Sequence, residues 1–387
     1  MTGMRAAYKC RAYPDSDQAA QLGRTFGCVR LVWNKTLDQR HRAYHAHGTK
    51  TSYTETDAAL SRWKKTEDLG FLSEVSSVPL QQTLRHQHTA FANFFAGRAK
   101  YPRFKNRNGK QSAHYTRSAF KLRDGHLTLA KQSAPLNFVW SWDDDTLANL
   151  NPTMVVVSRE QDGRWYVTFA VDTDDPEPAA PTGEALGIDL GVKDFATLST
   201  GETIANPKHL DRKERTLARY QRQMARKQRG SNNRRKATRN LARAHRKIRH
   251  ARADFLHRTT TNLVRRADVI AIEDLNMSGM TSSAKGTTDK PGRNVKAKAG
   301  LNRAVMDAAL GEFRRQLEYK TTRAGKTLAV VDRWYPSSKT CSACGHLLPS
   351  LTLSTRAWTC PDCGTRHDRD HNAAKNILAA GRAVAGP

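Results

Sequence analysis

The chain is short of acid. Its 387 residues carry 36 Asp and Glu against 65 Lys and Arg, a formal charge of +29. That imbalance argues against a site lined with acid for a cationic small molecule and points to a polyanionic partner. Long hydrophobic runs are missing as well. No stretch approaches the roughly 20 apolar residues that a membrane helix needs, and the opening MTGMRAAYKCRAYPDSDQAA lacks the apolar segment of a secretory signal. Cysteine is scarce: there are six, too few for a disulfide scaffold in a chain of this length. These absences lead to the expectation of a protein of a reducing cytosol. No GxxxxGK[ST] is present, which removes support for a phosphate-loop motor. Aromatic residues are well supplied (7 Trp, 10 Tyr, 12 Phe), so a packed core is expected rather than disorder.

Four of the cysteines lie within 23 residues. Cys341-x-x-Cys344 and Cys360-x-x-Cys363 are 15 residues apart, and each pair is followed by a glycine, Gly345 and Gly364. Two such knuckles suit tetrahedral Zn²⁺, which is structural where four thiolates leave no open position. His346 and His367 adjoin the knuckles but are not needed as ligands. Cys10 and Cys28 sit in apolar contexts and read as ordinary buried thiols.

Periodicity divides the chain. Residues 5–13 read as a strand. Leu22, Phe26, Val29, Val32, Trp33 and Leu37 recur at helical spacing across 17–48, and 54–65 and 79–96 also read as helices. From 113 the pattern becomes short alternating runs, with turn signals at Asp124-Gly125 and Asp162-Gly163. This describes a helical insert within a small β domain whose first strand precedes the insert. The acidic, Pro-rich DTDDPEPAAPTG at 172–183 reads as a linker. Beyond it, LGIDLGV, DFATLST, GETIA, VIAIEDL and TLAVVD read as strands. A single helix is expected over 301–324, capped by Gly325. That alternation predicts an α/β layer with a mixed sheet.

Residues 208–258 hold 19 Lys or Arg and three acidic residues, a net +16. Leu241, Ala244, Ile248, Ala251 and Phe255 form a helical stripe, and Gly230-Ser231-Asn232-Asn233 marks a hairpin turn. A solvated face ordinarily carries both signs; this one calls for a polyanion. Residues 98–110 (RAKYPRFKNRNGK) repeat the theme, with Tyr101 and Phe104 placed either to stack on bases or to pack in the core. His45 and His47 fall in a polar stretch and read as surface.

Three carboxylates stand out. Asp189 lies between glycines in GIDLG, Glu273 ends the apolar VIAIE, and Asp370 opens a final helix in DRDHNAA. Each has an ordinary explanation taken singly: a turn cap, a loop start, an N-cap. Together they could hold two Mg²⁺ ions, which suit hard oxygen ligands and hydrolyse phosphodiesters.

GIDLGVKDFATLS, VIAIEDLNM and VDRWYPSSKTCSACG…WTCPDCGTRHDRDHNAAKNIL closely resemble TnpB, the OrfB-type protein of bacterial insertion sequences. YKCRAYPDSDQAAQLGRTFGCVRLVWNKTL and LQQTLRHQHTAFANFFAGRAKYPRFKNR resemble its front half. The resemblance implies an RNA-guided, RuvC-like (RNase H fold) endonuclease related to type V CRISPR effectors, with a guide RNA and double-stranded target DNA as partners. Its three catalytic carboxylates match Asp189, Glu273 and Asp370 here. It implies a β-barrel-like wedge domain (first strand in 1–16, remainder 111–172) carrying a helical recognition insert (17–110). After the 173–183 linker it implies a nuclease domain at 184–336 with a basic hairpin at 207–267. A zinc ribbon at 337–366 and the final helix at 367–387 complete it. Tyr53, Gln81 and Gln82 are candidates for reading a short DNA motif beside the target. Arg103, Lys105, Arg222, Arg226, Arg234 and Arg235 are candidates for RNA phosphates. The polar 278–299 segment reads as a flap over the cleavage site or a plain loop. A cleavage-silent RNA-guided repressor and a DDE-like transposase remain as alternatives.

Overall fold

The computed structural model describes residues 4–173, 178–352 and 354–385. The middle of the expected linker, 174–177, lies outside the described residues. The chain divides into two compact units, Met1–Asp174 and Asp175–Pro387.

In the first unit β1 (Met4–Ala12) is followed by three helices, α1 (Ser16–His47), α2 (Tyr53–Trp63) and α3 (Ser77–Phe95). Asp15 and Gln18 cap the start of α1 reciprocally (2.8 and 3.2 Å), and Gly48, at φ 64°, ends it. Ser52 and Glu55 do the same for α2, each box satisfying two otherwise orphaned amides. Leu22, Phe26, Val29 and Val32 of α1 are buried with Leu80 and Leu84 of α3. The chain then forms β2 (Gln111–Thr116), β3 (Phe120–Arg123), β4 (His126–Leu129), β5 (Phe138–Val139), the short α4 (Asp144–Ala148), β6 (Met154–Arg159) and β7 (Trp165–Thr173). An antiparallel sheet runs β2-β6-β7-β1-β5, so the first strand pairs with the last across the intervening helices. The β3–β4 hairpin turns on Asp124 (φ 49°) and Gly125 (φ 73°), the backbone that a tight hairpin requires.

The second unit opens with β8 (Ala185–Leu190), β9 (Asp194–Leu198) and β10 (Thr203–Ala205), then α5 (Glu214–Ala225) and α6 (Asn232–Arg266). β11 (Val269–Glu273) follows, then α7 (Met277–Met280), α8 (Val295–Ala308), α9 (Leu310–Arg323) and β12 (Thr327–Val331). β13 (Ala357–Thr359) and β14 (Arg366–Asp368) form a small hairpin leading into α10 (Arg369–Ala385). The sheet order is β10-β9-β8-β11-β12: β8, β11 and β12 pair in parallel, and β9 pairs antiparallel with both β8 and β10. The fold is thus mixed α/β.

Three expectations differ from what is observed. The helix expected over 301–324 is two, broken at Ala309, which sits at φ 55°, ψ 44°. The break reorients the next segment so that Leu310, Phe313 and Leu317 all bury against the sheet core; a straight helix would rotate Leu310 away from Val305 and Ala308. Gly325 does stop the second helix, with Lys326 N–H bonded to Thr321 O at 2.8 Å. Within α6, Ile248 of the expected stripe is buried and Leu241, Ala244 and Phe255 are half-buried, but Ala251 is exposed, and the buried face continues through Leu256, Thr260, Leu263 and Val264. The 278–299 segment is neither a bare loop nor a free flap. It contains the end of α7 and the start of α8, closes a bridge between Gly286 and Pro291, and is tied by Lys298 Nζ to Met280 O at 2.5 Å.

α10 lies directly on the sheet because two glycines let it. A Cβ on Gly187 of β8 would sit 2.1 Å from Ala374 O, and one on Gly381 would sit 2.3 Å from the Ala271 side chain. Gly187→Ala is therefore expected to cost about 3 kcal/mol or more, measured by denaturant titration. A loss below about 1 kcal/mol would contradict this packing.

Candidate catalytic and metal sites

β8 and β11 run side by side with Ile188 opposite Ile272. One residue further along each parallel strand come Asp189 and Glu273, neighbours emerging from the same end of the sheet on the same face. Gly187 and Ile188 before Asp189, and Ile270 to Ile272 before Glu273, are buried, which carries both carboxylates to the edge of the core. α10 packs against β8 and starts at Arg369, which puts Asp370 near enough to act on Asp189 electrostatically, though the three carboxylates do not close to within 4.8 Å of one another as the cysteine thiols do. Asp370 is not the N-cap: Asp368 Oδ1 accepts the His371 amide at 2.9 Å, which leaves the Asp370 carboxylate for other work.

The electrostatics tie the three together. Asp189 is pushed up to about 8, first by burial, then by the negative charges of Glu273 and Asp370. A half-buried acid crowded by two others holds its proton more tightly unless a cation joins them. Asp274, next to Glu273, has the opposite character. Arg314 (2.5 Å) and Arg333 both bond it and hold it well below the usual carboxylate range, so it is a structural ion-pair residue. Glu273 instead accepts a hydrogen bond from Ser337 Oγ at 2.5 Å, and Asp370 has Arg356 Nη1 at 3.9 Å. Neither Ser337 nor Arg356 is foreseen by periodicity; the polar Pro336-Ser337-Ser338 run before the first knuckle is the one signal. The donor set, three oxygen acids with little competing cation, fits a hard divalent ion. A thermal consequence follows. With zinc retained and magnesium absent, the folded protein holds a proton on Asp189 that the unfolded chain releases above about pH 4. Stability should therefore fall as pH rises from 5 to 8, by on the order of 3 kcal/mol more in the native protein than in Asp189→Asn. Equal pH dependence of their melting curves would contradict the coupling.

The four cysteines converge. Their Sγ atoms lie within 4.8 Å of one another, and they are the one such cluster of metal-ligating side chains among the described residues. Cys341 and Cys363 are 3.6 Å apart, Cys344 and Cys360 3.7 Å. Tetrahedral zinc with 2.3 Å bonds requires about 3.8 Å between sulfurs. Gly345 (φ 81°) and Gly364 (φ 72°) close the knuckles. His367 is no ligand but sits with Nε2 3.0 Å from Cys341 Sγ, where an N–H can steady the thiolate. Cys10 and Cys28 are buried and free, and burial pushes Cys10 up to about 11.

The candidate nucleic-acid residues are mixed. Arg222, Arg226 and Arg235 are exposed on the hairpin. Arg234 is half-committed: its Nη1 bonds Met224 O and Lys227 O at 3.1 and 2.8 Å, closing the end of α5. Between α5 and α6 runs a groove of about 550 Å³ with Lys213, Tyr220, Arg243 and Lys247 along it. In the first unit Arg103 is exposed, while Lys105 Nζ lies 3.9 Å over the Trp33 ring. Tyr53 and Gln81 are half-buried; Gln82 is 8% exposed, so this conformation turns it away from solvent. Tyr101 packs edge-on against Phe91 and Phe94, and Phe104 is exposed. His45 and His47 are exposed. No helix among the described residues is long and apolar enough to cross a membrane.

Comparison with known proteins then decides the family. The chain is 51% identical over 385 residues to a Streptomyces pristinaespiralis protein named "Putative RNA-guided DNA endonuclease", covering 99% of this chain and 91% of that one. This chain belongs to the TnpB (OrfB) family. A second TnpB-family relative, "Putative RNA-guided DNA endonuclease InsQ" of Escherichia coli K12, is 34% identical over 98% of this chain and 92% of its own. The profile of the OrfB protein of IS605-type elements, described as "Probable transposase", matches 168–284, and a "Cas12f1-like, TNB domain" profile matches 311–377. A profile described as a helix-turn-helix domain matches 1–49, yet the described residues there form one strand and one 32-residue helix. This TnpB-family chain also shares its fold with a Cas12f1 solved with sgRNA and target DNA (TM-score 0.55, 12% identity, 97% of this chain and 99% of that one). A mini-RNA-guided endonuclease, Cas_phi3, gives 0.56 at 10% identity, covering 100% and 94%.

Proposed function

We propose that this chain is an RNA-guided DNA endonuclease of a transposable element, and that Asp189, Glu273 and Asp370 are its catalytic residues. The observation that carries the assignment is geometric: Asp189 and Glu273 leave adjacent parallel strands side by side, and the helix whose first turn holds Asp370 packs on the same strands. On this reading the second unit is a RuvC-like (RNase H fold) nuclease domain, with the Cys341–Cys363 cluster as an inserted zinc ribbon. The first unit is a wedge domain with a helical recognition insert.

Asp189, Glu273 and Asp370 would hold two Mg²⁺ ions, which when bound activate water and stabilise the leaving oxygen of a phosphodiester. The protein's own part is positional. The rigid strand ends fix Asp189 and Glu273. Ser337 orients the Glu273 carboxylate, and the cap at Asp368 sets the first turn of α10 and with it Asp370. Arg222, Arg226, Arg235 and the other cations of the α5–α6 hairpin would neutralise phosphates, as would Arg103. Sequence choice is left to base pairing between guide and target, with the protein reading backbone and shape. Tyr53 and Gln81 are the better-placed candidates for the flanking motif.

Sequencing the RNA that co-purifies with the protein tests the guide. One abundant species with a constant scaffold and a variable end is expected; a heterogeneous pool of cellular RNA would count against it. Strand-transfer products from labelled element ends would favour the transposase chemistry that the profile's description carries.

A further inference from the structure

Trp334 is 84% exposed, more than any other large hydrophobic side chain among the described residues. Tryptophan is rarely left so bare, because it has a large apolar surface to bury. It does not hang from a loose loop. β12 ends at Val331, and Trp334 N–H donates to Asp332 Oδ1 at 2.8 Å while Tyr335 N–H donates to Asp332 O at 3.1 Å. Arg333 on one side is bound to Asp274, and Tyr335 on the other packs against Ala271, Ala329, Val331 and Ile377. Three residues later Ser337 donates to Glu273. The ring is thus displayed from a turn braced on both flanks, at the sheet end where Asp189 and Glu273 emerge.

From this placement we infer that Trp334 is a stacking platform: it takes the face of an unpaired DNA base next to the phosphate being cut. The inference rests on the nuclease reading above. The chemistry follows from the parts. A hydrolytic site of carboxylates must hold a polyanion it would otherwise repel, and a flat, uncharged, electron-rich ring binds a base without adding charge beside the metals. Stacking is sequence-tolerant because every base offers a π face, which suits a protein whose target is chosen by pairing. A paired base within a duplex has no free face, so the platform favours a single strand at the cut. Trp334 is in this sense a positioning residue; it exchanges no proton and binds no metal.

The test uses the RNA-loaded Asp189→Asn protein, which keeps the DNA whole, and target DNA carrying 2-aminopurine at successive single positions in either strand. We expect one or two adjacent positions whose fluorescence is quenched, with the quench lost in Trp334→Ala and kept in Trp334→Phe. In the protein with its carboxylates intact, Trp334→Ala should slow cleavage roughly tenfold, with Trp334→Phe restoring most of the rate and both variants melting with the parent. No position sensitive to residue 334, or an unchanged cleavage rate in Trp334→Ala, overturns the inference. The fluorescence reading needs no cutting. If the intact protein leaves DNA uncut, the nuclease reading fails on its own, and the quench still decides whether Trp334 stacks.

Discussion

Asp189→Ala is expected to lower metal-dependent DNA cleavage by at least about a thousandfold, the scale seen when a member of a catalytic unit is removed. RNA-dependent DNA binding should stay within about twofold, because backbone phosphate contacts dominate affinity and Asp189 makes none. The substitution removes the residue whose charge both other carboxylates act on. It also relieves the crowding, so the metal-free protein should be no less stable and, above neutral pH, more so. Asp274→Asn is the contrasting case. Asp274 is a carboxylate one residue beyond Glu273, but it is held by Arg314 and Arg333. Its loss should lower the melting temperature slightly, as loss of a solvent-screened ion pair does, and leave most of the cleavage. Rates measured on a plasmid target at saturating guide, beside melting curves of both variants, separate the two. Equal loss of cleavage in both would remove the distinction drawn between these neighbours.

Cys360→Ser is the second large effect. Cys360 and Cys341 are both 1% exposed, and the knuckles are fastened to the helix that carries Asp370. Asn372 Nδ2 bonds Thr340 O at 2.8 Å, its Oδ1 accepts from Ser342 N–H at 2.9 Å, and Asn376 Nδ2 reaches Ser337 O at 2.8 Å. Ser337 is also the donor to Glu273. Losing the metal therefore loosens two of the three carboxylates at once. A structural zinc contributes about 10–16 kcal/mol to a small folded module; one ligand lost should release most of the metal. Elemental analysis should find about one zinc per native chain and far less in the variant. Cleavage should drop at least about tenfold, since a misplacement of an ångström in catalytic groups has that scale of cost. A zinc-free protein cutting at the native rate would contradict the coupling.

Much of this was readable in the residues, and the reasons differ by element. Leu22, Phe26, Val29 and Val32 mark α1 because a buried helical face must recur every 3.6 residues. Asp189 and Glu273 stand out because a charge at the end of a continuous apolar strand is costly without a partner. The cysteines declare themselves through ligand spacing. What stayed hidden depends on tertiary context. Ala309 breaks a helix without glycine or proline, so no local signal exists; the break serves the burial of Leu310 and Phe313. Gln82 reads as a polar face residue, yet α3 turns it inward between Leu80 and Leu84, which are both buried. Arg234 looks like one cation of many until its guanidinium is seen to close the end of α5. That Asp368, not Asp370, caps the last helix is decided by one hydrogen bond, which spacing cannot rank.

Retargeting tests the central claim most directly. The purified protein is loaded with two guides that share the scaffold and differ only in the variable end, and each complex is given two plasmids that carry the matching sites beside the same flanking motif. In Mg²⁺ each guide should direct cutting to its own plasmid alone, with no cutting by either when Glu273 is replaced by Gln. Cutting that ignores the guide, or that persists without Glu273, would contradict it.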